Sequence, residues 1–235
     1  MITLVNTRPA HQATLLTRAL EAAGYAVLEW PTLLIEYIPF AIPSFSKVSI
    51  LIFTSANAVT ALQRHGDIPL STICLAIGEG TADAMEKAGI PVAARPTLFS
   101  SEGLLELPEL QHVDQQSIAI ITGENSRGLL KKALIQRGAK VKEYCVYRRQ
   151  CPVVTPEQIK QLIQTPIHAI IITSQESLSN LIHMLGEKNC PWLFQQSLLV
   201  IHPKIEAYAR EMGFQNTIGV AKNPTAKALL DELKI

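Results

Sequence analysis

The amino-acid sequence predicts an α/β fold of two domains, each a parallel sheet flanked by helices, duplicated in an A-B-A′-B′ chain order. Three observations carry that expectation. Residues 15–29, LLTRALEAAGYAVLE, lie over residues 129–143, LLKKALIQRGAKVKE, without a gap, at a step of 138 − 24 = 114 residues between Gly24 and Gly138. LIFTSANAV at 51–59 resembles IIITSQESL at 170–178, and AIGEGTADAMEKAG at 76–89 lines up with VIHPKIEAYAREMG at 200–213. Short apolar runs also alternate with amphipathic segments of 3.6-residue period, the pattern of βα units.

Taken in order, the first strand is expected at 2–7 and ends in Thr7-Arg8-Pro9, and the first helix at 10–23 stops at Gly24. A strand at 25–29 completes A. B contains strands at 49–54, 73–77 and 92–94 with helices at 56–65, 80–88 and 100–106. A′ repeats the opening unit with strands at 118–122 and 140–144 around a helix at 126–137. B′ has strands at 168–173, 198–201 and 217–220 with helices at 155–164, 175–186, 204–212 and 224–233. Ser, Thr or Pro opens several of these helices, and Gly24, Gly66, Gly89, Gly138 and Gly213 close them. LLIEYIPF at 33–40 and EYCVYRRQ at 143–150 are strand-like, yet each leads from one unit toward the next, as crossovers do. If both cross the same gap they pair as a hinge, and A packs with B′ while B packs with A′. The residue pattern leaves that swap open.

A length of 235 residues suits two domains of roughly 110 to 120 residues. Hydrophobic residues are 48% and charged residues 17%, as expected for parallel strands covered on both faces. The net charge is +1, with Lys and Arg scattered singly, which argues against nucleic acid or an anionic membrane as a main partner. The N-terminus enters a strand directly, and no window reaches about 18 uninterrupted apolar residues, so the expected location is cytoplasmic. Cys74, Cys145, Cys151 and Cys190 lack metal-ligand spacing and the histidines are scattered, so free thiols and no metal site are expected. Gly78-Glu79-Gly80-Thr81-Ala82-Asp83 departs from a dinucleotide fingerprint because Asp83 stands where a third small residue belongs.

In parallel sheets ligands bind outside the carboxyl ends of the strands. Those ends here read TRP, FTSAN, IGEGTA, TGENSR, ITSQES and IHPK, rich in hydroxyl or glycine residues just before helix starts, where free N–H groups favour anions. The alternative for Ser55, Ser126 and Ser174 is plain helix capping. Ser100 and Ser101 can likewise cap the helix that Glu102 begins. A cytoplasmic two-domain effector-binding module for an anionic small molecule is the competing function. Such modules usually carry a signal peptide or a DNA-binding helical domain, and this sequence shows neither.

The chain resembles the uroporphyrinogen-III synthase family over nearly its whole length. The motifs run in order: TRP with Gln12, Leu20 and Gly24, WP at 30–31, FTSANAV at 53–59, IGEGTA at 77–82, SSEGLL at 100–105, TGENSRGLLKKAL then GAKV, VYRR at 146–149, TS at 173–174 and NPTAKALL at 223–230. The departure is His202-Pro203-Lys204, where the family more often repeats an IG-x-TA element.

That resemblance implies two α/β domains joined by a two-stranded linker, 1–36 with 152–235 and 37–151, with linkers near 33–40 and 143–152 and the substrate in the cleft between them. It implies cyclisation of the linear tetrapyrrole hydroxymethylbilane to uroporphyrinogen III, with loss of water and inversion of ring D through a spiro intermediate, and without a metal or organic cofactor. It makes Tyr147 a candidate general acid, the alternative being a packed hinge tyrosine. Arg8 is the candidate partner of a substrate carboxylate, the alternative being a bond to the protein's own helix end or a local Glu. Thr54, Ser55, Asn57, Gly78, Thr81, Ser100, Ser101, Gly123, Thr173, Ser174 and Gln175 are further substrate-binding candidates. A monomer is expected, with transient contact to the preceding enzyme of the pathway.

Overall fold

The computed structural model describes residues 2–40, 47–63, 72–124, 126 and 128–233. The helix end expected at 64–65, the stop at Gly66 and position 127 of the expected 126–137 helix lie outside these residues. The first half of the chain holds β1 (Thr3–Asn6), α1 (Ala10–Ala22), β2 (Ala26–Glu29), β3 (Leu34–Tyr37), β4 (Ile50–Phe53), α2 (Ala56–Leu62), β5 (Ile73–Ala76), α3 (Glu79–Lys87), α4 (Ser101–Leu105) and β6 (Ser117–Gly123). The second holds α5 (Leu129–Gln136), β7 (Lys140–Gln150), α6 (Pro156–Gln164), β8 (Ile167–Ile172), α7 (Gln175–Leu185), α8 (Cys190–Leu193), β9 (Leu198–Val200), α9 (Pro203–Met212), β10 (Ile218–Val220) and α10 (Ala226–Leu233). They form two units, Met1–Leu34 with Gln150–Ile235, and Ile35–Arg149.

In the first unit the sheet runs β2-β1-β8-β9-β10, and every pairing is parallel. The second unit's sheet runs β3-β7-β6-β4-β5, with β7–β6, β6–β4 and β4–β5 parallel. Strand β1 of A therefore pairs with β8 of B′, and β4 of B pairs with β6 of A′. The repeat extends to register: Thr3 faces Ala26 through Asn6 facing Glu29, and the 114-residue step turns these into Ser117 facing Lys140 through Ile120 facing Glu143. Both copies end their helix on a glycine with positive φ, +90° at Gly24 and +84° at Gly138. A Cβ on Gly138 would also stand 2.2 Å from Oδ1 of Asp114, so only glycine fits.

Two apolar layers cover each sheet, as the near-continuous apolar strands require. Leu16, Leu20 and Leu229 pack on one face of the first sheet and Leu178, Leu181 and Ile205 on the other. Phe53, Val59 and Met85 cover one face of the second sheet and Leu104, Leu130 and Leu134 the opposite one. Helix starts follow the sequence at Ser55, Ser100, Ser174 and Thr155, whose hydroxyls accept from the backbone N–H of Ala58, Gly103, Ser177 and Gln158.

Three local expectations change. The strand expected at 92–94 is reduced to a single parallel bridge between Leu75 and Ala94, because Pro91 and Pro96 bracket it and cannot donate to a ladder. The strand expected at 140–144 and the crossover at 143–150 are one eleven-residue strand, β7, to which β3 pairs, with Ile38 N–H donating to Val146 C=O at 3.0 Å. Ser126 is not a cap: Gly128, with φ +65°, heads α5, and the Ser126 hydroxyl donates to Glu143 instead. Helix α8 went unforeseen because its four residues are too short for a periodic signal.

Leu15 and Leu16 open the repeated motif but differ in burial, at 82% and 2% exposed. Leu16→Ala should cost about 2–5 kcal/mol of unfolding free energy in a denaturant titration. Leu15→Ala should stay within about 0.5 kcal/mol of the parent.

Candidate active site at the sheet carboxyl ends

Each sheet has one place where its strand order reverses. The chain passes from β1 outward to β2 but from β8 outward to β9, so the two strands part at β1/β8; in the second unit the same parting lies between β6 and β4. A crevice at such a switch point is where an open parallel sheet binds ligands.

In the second unit a pocket of about 430 Å³ opens there, within the range of small-molecule sites. Thr54 reaches it from the end of β4, Thr122, Gly123 and Glu124 from the end of β6, and Tyr147 and Arg149 from β7. The hydroxyl of Thr54 lies 2.9 Å from that of Thr122, which ties β4 to β6 at the pocket wall.

Tyr147 owes its place to a register shift. Thr122 faces Cys145, but Gly123 faces Tyr147, so Val146 is an extra residue on β7. A bulge of this kind bends the strand and re-aims a side chain. The ring settles over Gly123, where a Cβ would stand 2.6 Å from Cζ and 2.9 Å from the phenol oxygen. The Tyr147 carbonyl accepts from the backbone N–H of Glu124 at 2.8 Å, and Ser55 Oγ donates to the phenol oxygen at 3.0 Å. The ring is buried, with 4% of its surface exposed, yet it lines the pocket.

The charges around this wall are mixed. Lys131 and Arg149 bring positive charge, Glu124 and Glu143 negative charge. Burial first, then the nearby Glu124 carboxylate, pushes the Cys145 thiol above its ordinary value, so this cysteine stays protonated at neutral pH.

Other expected residues take structural contacts. Ser100 caps α4, and Ser101 beside it lines the pocket. Gly78 heads α3, with the Phe99 ring 3.1 Å from where its Cβ would be, and Thr81 is buried within that helix. Asn57 is half-buried in the first turn of α2.

In the first unit, Thr173 follows β8, Ser174 caps α7, and Gln175 Nε2 donates to the Lys204 carbonyl at 3.2 Å. Arg8 Nη2 donates to the Pro224 carbonyl, and burial holds the guanidinium below its ordinary pKa. His202 caps α9, its Nδ1 accepting from the Lys204 N–H at 3.0 Å. The β1/β8 crevice holds a buried hydroxyl cluster that the sequence reading missed. Thr7 donates to the Ile171 carbonyl at 2.6 Å, Ser177 Oγ lies 3.1 Å from Thr7 and 2.6 Å from Thr32, and Asn180 donates to the Thr32 carbonyl at 2.8 Å.

The fold agrees with what comparison with known proteins finds. A family model described as Uroporphyrinogen-III synthase HemD matches residues 15–231. The chain belongs to the uroporphyrinogen-III synthase family. The uroporphyrinogen-III synthase of Salmonella typhimurium is 28% identical over 250 residues, covering 99% of this chain and 100% of that one, and the Escherichia coli enzyme is 27% identical with the same coverage. That of Synechococcus elongatus is 29% identical over 78% of this chain and 75% of its own. Among solved structures, uroporphyrinogen-III synthetase from Helicobacter pylori superposes with a TM-score of 0.66 at 20% identity, covering 100% of this chain and 99% of that one. A mutant uroporphyrinogen III synthase from Thermus thermophilus gives 0.62 at 20% identity, with 100% and 98% covered. These two matches speak to the fold.

As a uroporphyrinogen-III synthase, the protein is a cyclising lyase of porphyrin and heme biosynthesis that converts hydroxymethylbilane to uroporphyrinogen III. Among the described residues no helix is long and apolar enough to cross a membrane, and no group of three or more His, Cys, Asp or Glu is placed to hold a metal ion.

Gly123→Ala tests the seat of Tyr147. The new methyl overlaps the ring, so the variant should lose about 1–3 kcal/mol of stability, the usual cost of overpacking, read as a lower denaturant midpoint.

Proposed function

We propose that Tyr147 is the general acid of the cyclisation. Its phenol delivers a proton to the terminal hydroxyl of hydroxymethylbilane; the C–O bond breaks, water leaves, and an electrophilic azafulvenium cation remains beside the phenolate. The other end of the tetrapyrrole attacks through the wrong side of ring D to form a spiro intermediate, which reopens and closes with that ring inverted, and the proton that ring D loses on closure restores the phenol. What carries this reading is one observation: a buried phenol at the wall of the switch-point pocket, its oxygen already accepting a hydrogen bond from Ser55. A bilane closes by itself to the uninverted isomer, so holding it in one shape is the larger contribution and proton transfer adds to it.

The substrate carries acetate and propionate groups on every pyrrole. We assign their binding to Arg8, Thr54, Asn57, Gly78, Thr81, Ser100, Ser101, Gly123, Thr173, Ser174 and Gln175, with the N-termini of α3 and α7 contributing about 0.3–1 kcal/mol for each carboxylate they meet. Affinity then comes from number. The two units act as the domains 1–36 with 152–235 and 37–151, joined through the segments near 33–40 and 143–152; each having its own sheet and core supports this reading. The protein acts as a monomer in the cytoplasm and meets the preceding pathway enzyme transiently.

The deciding assay supplies hydroxymethylbilane to the purified protein without additives, oxidises the product and separates its isomers by chromatography. Type III should dominate with the parent. Tyr147→Phe should lower kcat by about ten- to a thousandfold with the fold intact, and unchanged turnover would remove Tyr147 from the mechanism. Arg8→Ala should raise KM at little changed kcat; normal kinetics would argue against its pairing with a carboxylate.

A further inference from the structure

We infer that Ser55 is a positioning residue for Tyr147 and makes no contact of its own with the substrate. This rests on the reading of Tyr147 as the general acid. A serine hydroxyl has one proton to give and two lone pairs. The backbone N–H of Ala58 donates to Ser55 Oγ at 3.1 Å, which is the cap of α2. Among the described residues, the remaining polar contact of that oxygen is the phenol of Tyr147 at 3.0 Å, and there Ser55 is the donor. The single proton of Ser55 is thus committed within the protein.

The direction of that bond has a chemical consequence. Because the phenol oxygen accepts from Ser55, the phenol's own proton turns away from Ser55 and stays available for donation. Ser55 is in turn held by its carbonyl, which accepts from the N–H groups of Ala58 at 3.1 Å and Val59 at 3.4 Å. The ring is fixed from the other side by the glycine seat at Gly123. When the phenol gives up its proton, an O–H···O bond becomes O–H···O⁻, which is shorter and about twice as strong. Ser55 therefore stabilises the transition state more than the ground state, and its removal should appear in kcat and not in KM.

Capping alone makes a different prediction, and the substitutions separate the two. Glycine serves as an N-cap nearly as well as serine but has no hydroxyl; threonine keeps both functions. With hydroxymethylbilane as substrate, Ser55→Gly should lower kcat about tenfold at nearly constant KM and melting temperature, the size of one hydrogen bond to a developing charge. Ser55→Ala should match it in kcat but melt lower, because the cap is lost as well. Ser55→Thr should return kcat to within about twofold of the parent. In a double-mutant cycle, Ser55→Gly added to Tyr147→Phe should change kcat by less than about twofold, since the group it serves is gone.

A raised KM with unchanged kcat in Ser55→Gly would make Ser55 a substrate contact and overturn the inference. A double mutant whose losses multiply would also overturn it while leaving Tyr147 in its role. Parental turnover in Tyr147→Phe would overturn both readings together.

Discussion

The pairing of β4 with β6, and its counterpart of β1 with β8, is the constraint on which the rest of the structure depends. Each of these ladders joins segments far apart in the chain, so neither half of the chain completes its own sheet: A lacks β8 to β10 until B′ arrives, and A′ pairs with B and not with its own successor. Non-local pairings of this kind are costly in loop-closure entropy, and the long apolar strands offset that cost by burying both faces. Ile50, Leu51, Ile52 and Phe53 on β4 are each 1% exposed or less. The same two ladders are the points where strand order reverses, so the packing solution and the candidate crevice have one origin.

The two crevices have been put to different use. In the first unit Thr7, Thr32, Ser177 and Asn180 knit the ends of β1 and β2 to α7, and each buried hydroxyl has a partner within 3.1 Å. Satisfied buried networks of this type hold a backbone in one arrangement. In the second unit the corresponding position stays open and is walled by Thr54, Thr122 and Tyr147. The difference arises at the end of β6, where glycine at position 123 leaves room for a ring that any side chain would displace.

A one-residue irregularity sets which side chain walls that open crevice. Strict alternation along β7 would send Tyr147 to the face opposite Tyr144 and Val146; with Val146 as the extra residue, all three join the same apolar cluster. Val146 is not wasted, since its carbonyl accepts from the N–H of Ile38, the residue after β3, and the next residue but one, Arg148, forms a bidentate pair with Glu36 at 2.8 and 2.9 Å. Both side chains are nearly half exposed, so this pair adds little to stability and serves mainly to align β3 with β7. Burial of the ring and presentation of its hydroxyl are thereby compatible.

The sequence by itself determined the fold class, the duplication and most element positions, because these rest on local physics: the 3.6-residue period, the hydroxyl caps at Ser55, Ser100 and Ser174, and glycines such as Gly24 and Gly138 that alone accept positive φ. It also pointed to the strand ends as the place for a ligand, TGENSR with Gly123 among them, while VYRR with Tyr147 read as a crossover and became a candidate only through the family resemblance. It could not show that Ser126 turns to Glu143, or that Thr7 meets Ser177 across 170 residues, because those contacts depend on which strands become neighbours. Nor could it reveal why position 123 is glycine, since no turn or positive φ requires it. Only the tertiary structure decided that A pairs with B′ and B with A′. Two copies of one pattern can pair with themselves or with each other, and burial periodicity is the same in both cases; the choice is made by the chain crossing at β3 and β7.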